Sequence, residues 1–306
     1  VKNEHFQRFI LRGKGEGFLS VKTLYVSDLD GTLLRSDERT SEYTNRVINK
    51  LVQGGAAFTY ATARSYATAH KVTAGMTAAF PVIVYNGAFV RNNATGEMLL
   101  ESYFNQAQAE ELIRELTDTG IFPIVYAYIR GEEKFSYLPD RVNSAAAAFI
   151  RSRQGDSRDR PVDTVSALTE REIFYITCID EEEKLAQFEE KYREIHRCVY
   201  QKEYYSGDWW LEIMPKEASK ANAVRRLKKL YGYDYIVAFG DGKNDLDLFE
   251  MADEAYAVAN ADPALKAATT AVIDANDRDG VARWLEERMN EPGHGDDSPA
   301  VSKETV

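Results

Sequence analysis

The sequence predicts an α/β fold: a doubly wound, Rossmann-like parallel sheet into which a large α+β module is inserted. Three observations carry this expectation. Short apolar runs alternate with helical patterns near both ends of the chain, as a parallel sheet covered on both faces requires. Between them, over 95–210, the texture changes to longer alternating strands separated by helices. The 306 residues also suffice for two units, each with a core of its own.

Taken in order, Thr23–Ser27 (TLYVS) reads as a buried first strand. A helix follows over Glu42–Gln53, with Val47, Ile48 and Leu51 at helical spacing and Gly54-Gly55 as its stop. Ala56–Ala61 is a second strand, Ser65–Thr73 a helix and Pro81–Tyr85 a third strand. The middle stretch offers strands at Phe122–Ile129, Lys134–Leu138, Glu172–Ile179 and Cys198–Tyr205, with helices at Gln106–Thr119, Arg141–Arg151 and Glu181–Ile195. The first rhythm then returns. Lys220–Tyr231 is a helix, Ile236–Phe239 a strand, Leu246–Met251 a helix and Ala255–Val258 a strand. Pro263–Ala268, Ala271–Ile273 and Val281–Met289 complete it as helix, strand and helix. The expected division is therefore a core of 21–94 plus 211–290 and an insertion of 95–210.

The ends lack such patterns. Residues 1–20 read as a flexible extension, and 291–306 (EPGHGDDSPAVSKETV) as a disordered tail with little to bury. Lys14-Gly15-Glu16-Gly17 can be encoded by a purine-rich ribosome-binding sequence a suitable distance before Leu19. Residues 1–18 are on that ground expected to lie outside the native polypeptide.

Composition narrows the partners. Against 38 Lys and Arg stand 49 Asp and Glu, a net charge of −11. A nucleic-acid footprint needs clustered basic residues, so no nucleic-acid partner is expected. No apolar run approaches the ~20 residues that span a bilayer, and no secretory signal pattern opens the chain. The expectation is a cytoplasmic protein without a membrane partner; oligomeric state is not readable. Cys178 and Cys198 are too few for a disulfide framework and read as buried thiols. The four histidines, His5, His70, His196 and His294, show no metal-ligand spacing.

Chemistry concentrates in two acidic clusters. Asp28-Leu29-Asp30-Gly31-Thr32-Leu33-Leu34 follows the first strand directly. Side chains two apart on a strand point the same way, so Asp28 and Asp30 can share a site at its carboxyl end, where open α/β sheets bind ligands. Two such carboxylates repel unless a cation or a shared proton compensates. A hard divalent ion such as Mg²⁺ fits oxygen ligands of this kind. Gly240-Asp241-Gly242-Lys243-Asn244-Asp245 again follows a strand. Alone, either cluster is compatible with an acidic turn. In a parallel sheet their strand ends can be neighbours, and the converging carboxylates then call for a metal. Thr62, at the end of the second strand, and Lys220, at a helix start, could supply a hydroxyl and an ammonium to an anionic group.

DLDGTLL, a strand-end Thr, a Lys before a helix, and GDGKND occur here in the order of the four motifs of the haloacid dehalogenase-like hydrolases. The chain most resembles the Cof-type phosphatase subfamily, whose large α/β cap lies between the second and third motifs. The resemblance covers about 22–290 and includes Asn86-Gly87, Asn260-Ala261 and Asp279-Gly280-Val281. One departure is Ala63, where the subfamily usually carries Gly in a TGR triplet; it puts only the local backbone angle in question.

The resemblance implies a Mg²⁺-dependent phosphomonoesterase acting on a small phosphorylated metabolite, a sugar phosphate or a phosphorylated cofactor. It makes Asp28 the nucleophile that becomes an aspartyl phosphate, and Asp30 the general acid and base. Thr62 and Lys220 would hold the phosphoryl oxygens, with Arg64, Asn86, Gly87 and Asn244 also lining the substrate. Asp28, the backbone carbonyl of Asp30, and Asp241 would ligate Mg²⁺, supported by Asn244 and Asp245. A phosphomutase or phosphotransferase on the same scaffold is the alternative, and a non-catalytic phospho-receiver or sensor a further one. Tyr204-Tyr205 and Trp209-Trp210 read as packing residues near the return to the core, or else as a grip on the leaving group.

Overall fold

The computed structural model of the chain describes residues 21–202 and 207–290, so the expectations for 1–20 and 291–306 lie outside the described residues. The chain enters through β1 (Thr23–Ser27) and, after the helix Glu42–Gln53, forms β2 (Ala57–Tyr60). Ser41 caps that helix, its hydroxyl accepting from Thr44 N at 3.0 Å.

Beyond the short helix Tyr66–Val72, the chain departs from the expected third core strand. β3 (Pro81–Val84) joins the core sheet through a single parallel bridge, Ala61 to Ile83. Its ladder runs instead to β4 (Phe89–Asn92), which pairs in turn with β5 (Met98–Glu101), an antiparallel sheet that the sequence reading did not anticipate.

A second sheet then forms from β6 (Ile124–Ile129), β7 (Glu132–Tyr137), β8 (Asp159–Pro161), β9 (Ile173–Asp180), β10 (Arg197–Lys202) and β11 (Trp209–Met214). Its order is β10-β11-β9-β6-β7-β8. The helix Gln106–Asp118 precedes its first strand, and Ser144–Arg151 and Glu182–Tyr192 lie between its strands in sequence. The middle helix starts at Ser144 rather than Arg141 because Asn143 caps it, accepting from Ala146 N at 2.9 Å. The last residues of the expected strand Cys198–Tyr205 fall outside the described residues.

The expected boundaries at 95 and 210 cut through hydrogen-bonded ladders. Residues 98–101 pair with β4, beside the core, whereas 211–214 pair with β9 and β10, inside the second sheet. The passages between the two parts therefore follow Glu101 and Met214.

The core resumes with the helix Lys220–Tyr231, then β12 (Tyr235–Gly240), β13 (Glu254–Val258) and β14 (Ala271–Ile273), and closes with the helix Gly280–Asn290. The core sheet is parallel throughout, in the order β14-β13-β12-β1-β2. Leu24 to Val26 and Ile236 to Phe239 are buried residue after residue, the signature of strands covered on both faces. The helix pair Glu42–Gln53 and Gly280–Asn290 packs together, as does the pair Lys220–Tyr231 and Leu246–Met251. One apolar cluster runs from this core through Tyr85 and Phe89 into Tyr126, Phe174 and Tyr175 of the second sheet, which sits on the core as a cap. A second cluster, including Ile176, Leu185 and Leu211, belongs to the cap alone.

Candidate active site

The site forms where β1, β2 and β12 end side by side. Asp28 N–H donates to Phe239 O at 2.9 Å, which sets Asp28 at the seam between β1 and β12. Ala61 N–H donates to Ser27 O at 2.9 Å, which brings Thr62 alongside. After Asp28 the chain turns back within Leu29–Leu33, closed by Leu34 N–H on Leu29 O at 2.8 Å. Gly31 has φ +71°, and a Cβ there would lie 2.3 Å from Asp241 Oδ2. Only glycine satisfies both constraints. Thr32 donates to the same carboxylate at 3.0 Å, so the first motif holds the second one in place.

Asp245 occupies the bottom of the second turn, accepting from the backbone of Asp241 at 3.3 Å and of Gly242 at 3.2 Å. Lys220 opens its helix after the capping Ser219, which accepts from Asn222 N at 3.1 Å. Its Nζ donates to Asp28 Oδ1 at 2.5 Å and Asp245 Oδ1 at 2.7 Å. Lys220 is 2% exposed and Asp245 fully buried, so these are charges withdrawn from water. Such burial is tolerable only with close pairing.

The carboxylates of Asp28, Asp241 and Asp245 each offer an oxygen within 4.8 Å of the others. Lys220 offsets one of these three charges. Burial is the main force that lifts the Asp28 carboxyl well above its ordinary range; Lys220 opposes it and Asp245, Asp241 and Asp30 add to it. Burial and the neighbouring Asp245 push Asp241 up to about 6, against the hydrogen bond from Thr32 and the charge of Lys220. Burial would lower the Lys220 ammonium, but Asp245 and Asp28 outweigh it and hold its pKa raised. A buried cluster with two uncompensated negative charges and hard oxygen donors is suited to a divalent cation such as Mg²⁺.

The remaining expected residues surround this centre. Thr62 is fully buried; its Oγ accepts from Arg64 N at 3.1 Å, which leaves the hydroxyl proton free to donate. Asn86 N–H donates to Thr62 O at 2.8 Å. Tyr85, Asn86 and Gly87 are all left-handed, with φ of +51°, +51° and +102°. A Cβ on Gly87 would lie 2.2 Å from Ser219 O, so this residue lets the turn close against the Lys220 helix. Asn244 is half-buried in the turn that carries Asp241 and Asp245.

Asp30 and Arg64 stand apart from the acidic cluster. The Asp30 carboxylate is exposed and takes a forked bond from Arg64, at 2.6 Å from Nη2 and 2.9 to 3.0 Å from Nε, while Glu38 accepts from the same Nη2 at 2.9 Å. The Arg64 side chain thus engages Asp30 and Glu38, while its backbone N–H reaches Thr62.

Several supporting residues had no role assigned from the sequence, although Asn260 and Asp279 fall within the resemblance. Thr32 lay in view inside DLDGTLL. Asp279 accepts from Arg35, Ser41 at 2.7 Å and Thr44 at 3.1 Å, which ties the last helix to the segment after the first motif. Asn260 donates to Gly31 O at 2.7 Å and Asn276 to Leu34 O at 2.9 Å, both bracing the first turn from the far end of the chain. No spacing rule connects residues so distant in sequence.

Residues 25–285 match the family profile of the haloacid dehalogenase-like hydrolases. The chain belongs to that family. Among relatives of this hydrolase is the 5-amino-6-(5-phospho-D-ribitylamino)uracil phosphatase YitU of Bacillus subtilis (strain 168), 24% identical over 278 residues, spanning 86% of this chain and 96% of that protein. A second, YwtE of the same organism and the same printed activity, is 27% identical over 285 residues, 86% and 96% of the two chains. A solved structure from Thermotoga maritima superposes with a TM-score of 0.70 at 26% identity, over 86% of this hydrolase and 96% of that chain. Another, from Eubacterium rectale, reaches a TM-score of 0.73 at 21% identity, over 88% and 99%, and shows the shared fold. No described helix of this hydrolase is long and apolar enough to cross a membrane.

Proposed function

We propose that this hydrolase is a Mg²⁺-dependent phosphomonoesterase that works through a phosphorylated Asp28. The observation that carries this reading is the buried Lys220 ammonium shared by Asp28 and Asp245, with Asp241 completing three carboxylates within 4.8 Å. Phosphoryl transfer is catalysed chiefly by positioning and charge neutralisation, and this centre offers both. Asp28, Asp241 and Asp245, with the backbone carbonyl of Asp30, would hold Mg²⁺, and Asn244 would support them. Bound there, the ion would neutralise phosphoryl oxygens and offset the carboxylate cluster.

In the first step an Asp28 carboxylate oxygen attacks phosphorus in line, and the bond to the alcohol oxygen breaks. Asp30 gives that oxygen its proton. Thr62 and Lys220 hold the phosphoryl oxygens, and Asn86 and Gly87 line the pocket beside them. Arg64 orients Asp30 through its forked bond. In the second step Asp30 takes a proton from a water that attacks the same phosphorus, which releases inorganic phosphate and restores Asp28. The substrate is a small phosphorylated metabolite. The activity printed for the two Bacillus relatives makes 5-amino-6-(5-phospho-D-ribitylamino)uracil the first compound to test, followed by sugar phosphates and phosphorylated cofactors.

The test is phosphate release from such a panel, with Mg²⁺ and after chelation, with and without an acceptor alcohol. The reading expects inorganic phosphate, lost on chelation and restored by Mg²⁺. Transfer to the acceptor or to a second position of the substrate, with no free phosphate, would make the chain a transferase or mutase instead.

A further inference from the structure

The face of the cap sheet that looks at the core carries an acid, Glu212, whose contacts there are with tyrosines. Along β11, Leu211 and Ile213 lie in the cap's own apolar cluster. Strand alternation turns Trp210 and Glu212 to the opposite face. That face also carries Tyr126 and Tyr175, whose rings meet Tyr85 of the core at 5.8 and 5.3 Å. The Tyr175 hydroxyl accepts from Asn86 Nδ2 at 2.9 Å, which joins the cap face to the expected substrate pocket. Glu212 is half-buried, and its carboxyl interacts with the same Tyr175 hydroxyl. Burial pushes that carboxyl up to about 7, and the Tyr175 contact opposes the rise.

Arg153 stands nearby. Its guanidinium lies 3.3 Å from the centre of the Phe149 ring, and Phe149 meets Trp210 edge-on at 4.8 Å. Arg153 and Glu212 act in opposite senses on the Tyr126 hydroxyl. Arg153 Nη1 donates to Phe149 O at 3.2 Å and to Ser152 Oγ at 3.1 Å, and among the described residues no carboxylate pairs with it within 4.0 Å.

Two polar atoms are also buried there without a hydrogen-bond partner, the indole Nε1 of Trp210 and the Oδ1 of Asn86. Asn86 is only 4% exposed. Buried donors and acceptors are ordinarily satisfied, and an orphaned donor on the cap face, with an orphaned acceptor in the core turn that meets Tyr175, points to a ligand that completes them.

We infer that Glu212, with Arg153 and Trp210, reads the alcohol part of the phosphomonoester. The leaving group it selects carries amino or hydroxyl donors for Glu212 and carbonyl or hydroxyl acceptors for Trp210 and Arg153. The rings of Phe149 and Tyr126 favour a flat segment beside those groups. A purely apolar alcohol would leave the Trp210 indole N–H without a partner. The inference rests on the phosphatase reading and names the substrate class for that same site.

The experiment compares kcat/KM for two kinds of phosphomonoester: one with an aminated or polyhydroxylated leaving group, and p-nitrophenyl phosphate, whose leaving group offers no donor. Replacing Glu212 by Leu should lower the ratio of the first to the second by about 10- to 100-fold, the worth of a hydrogen bond to a charged group. Trp210→Phe, which keeps an aromatic ring but removes the indole N–H with the rest of the pyrrole ring, should lower the ratio for leaving groups that carry an acceptor. Glu212→Gln, nearly isosteric, guards against a folding defect and should shift the ratio in the same direction. A ratio unchanged in all three variants overturns the inference while wild-type hydrolysis upholds the phosphatase. Failure of the wild type to hydrolyse either kind overturns the phosphatase reading, and the inference with it.

Discussion

The core site and the cap face manage buried charge in opposite ways. In the core, Lys220 contacts Asp28 and Asp245 at 2.5 and 2.7 Å, and Thr32 and backbone N–H groups fix the remaining carboxylates. The carboxylates there come from loops at the ends of parallel strands, and Lys220 from the start of a helix. On the cap face, Glu212 and Arg153 project from or beside a mixed sheet and meet tyrosines and phenylalanine rather than opposite charges. A preorganised, self-paired centre suits a reaction common to many substrates. A face with unmet hydrogen-bonding capacity suits discrimination, because only a matching partner satisfies it.

Four substitutions would break or sharpen this contrast, and the largest effect is expected at Asp30. Asp30→Asn should cut kcat/KM by about 10²–10⁴-fold for sugar or alkyl phosphates, whose alkoxides need a proton to depart. Nitrophenyl phosphate should lose far less in the same parameter, since its leaving group departs unprotonated. Equal losses across both substrates, with the fold intact, would remove Asp30 from the acid role.

Lys220→Met should reduce kcat by roughly 10²–10³-fold. It should also destabilise the fold by about 3–5 kcal/mol, because Asp28 and Asp245 lose the cation that pairs them. Urea titration checks the second figure, and a variant as stable as wild type would contradict the pairing described here.

Asp279→Ala should cost roughly 2–3 kcal/mol of stability. Arg35, Ser41 and Thr44 all donate to that buried carboxylate. Burial alone would raise it, but Arg35, Ser41 and Thr44 outweigh that and hold it below the usual range. The stabilisation is therefore present above the ordinary Asp value and is lost as pH falls through the native value. Since Asp279 touches no reacting group, the ratio of kcat/KM between leaving groups should not move.

The smallest effect concerns Glu212 itself. Its carboxyl titrates near 7 in the fold against an ordinary 4.5, so between these values the native state holds more protons than the unfolded chain. Stability then falls as pH rises through that window. Glu212→Gln removes the titration. Its Tm relative to wild type should rise from about pH 4.5 to about pH 7 and stay level above that. A constant difference across the range would mean that Glu212 is not held protonated by burial.

The same contrast explains what the sequence disclosed. The helices Glu42–Gln53, Lys220–Tyr231 and Leu246–Met251 and the strands Thr23–Ser27 and Ala271–Ile273 have the bounds that pattern and capping residues indicate. Asp28, Lys220, Asp241 and Asp245 were legible because each sits at a strand end or helix start, inside a short motif whose acidic density is unusual. β4 and β5 were not, because FVRN and MLLE are too short for a period to register. β11 was obscured by its aromatic start, Trp209-Trp210, which reads equally as packing. Arg64 illustrates a different limit. Its type and place suggest a substrate anion, but the fold first offers it Asp30 and Glu38. Glu212 had no local signal at all. A single acid on a strand becomes notable only when the register sets it beside Thr177 and its side chain meets Tyr175.

The measurement that bears most directly on the central claim is a rapid acid quench during the first turnover with Mg²⁺ and nitrophenyl phosphate, followed by peptide mass mapping. The account predicts a phosphoryl group on the peptide that contains Asp28, formed in a burst and absent from Asp28→Asn, which should also lose turnover by on the order of 10⁴-fold or more. A phosphoryl group on another residue, or undiminished turnover by the folded Asp28→Asn protein with deamidation excluded, would contradict it.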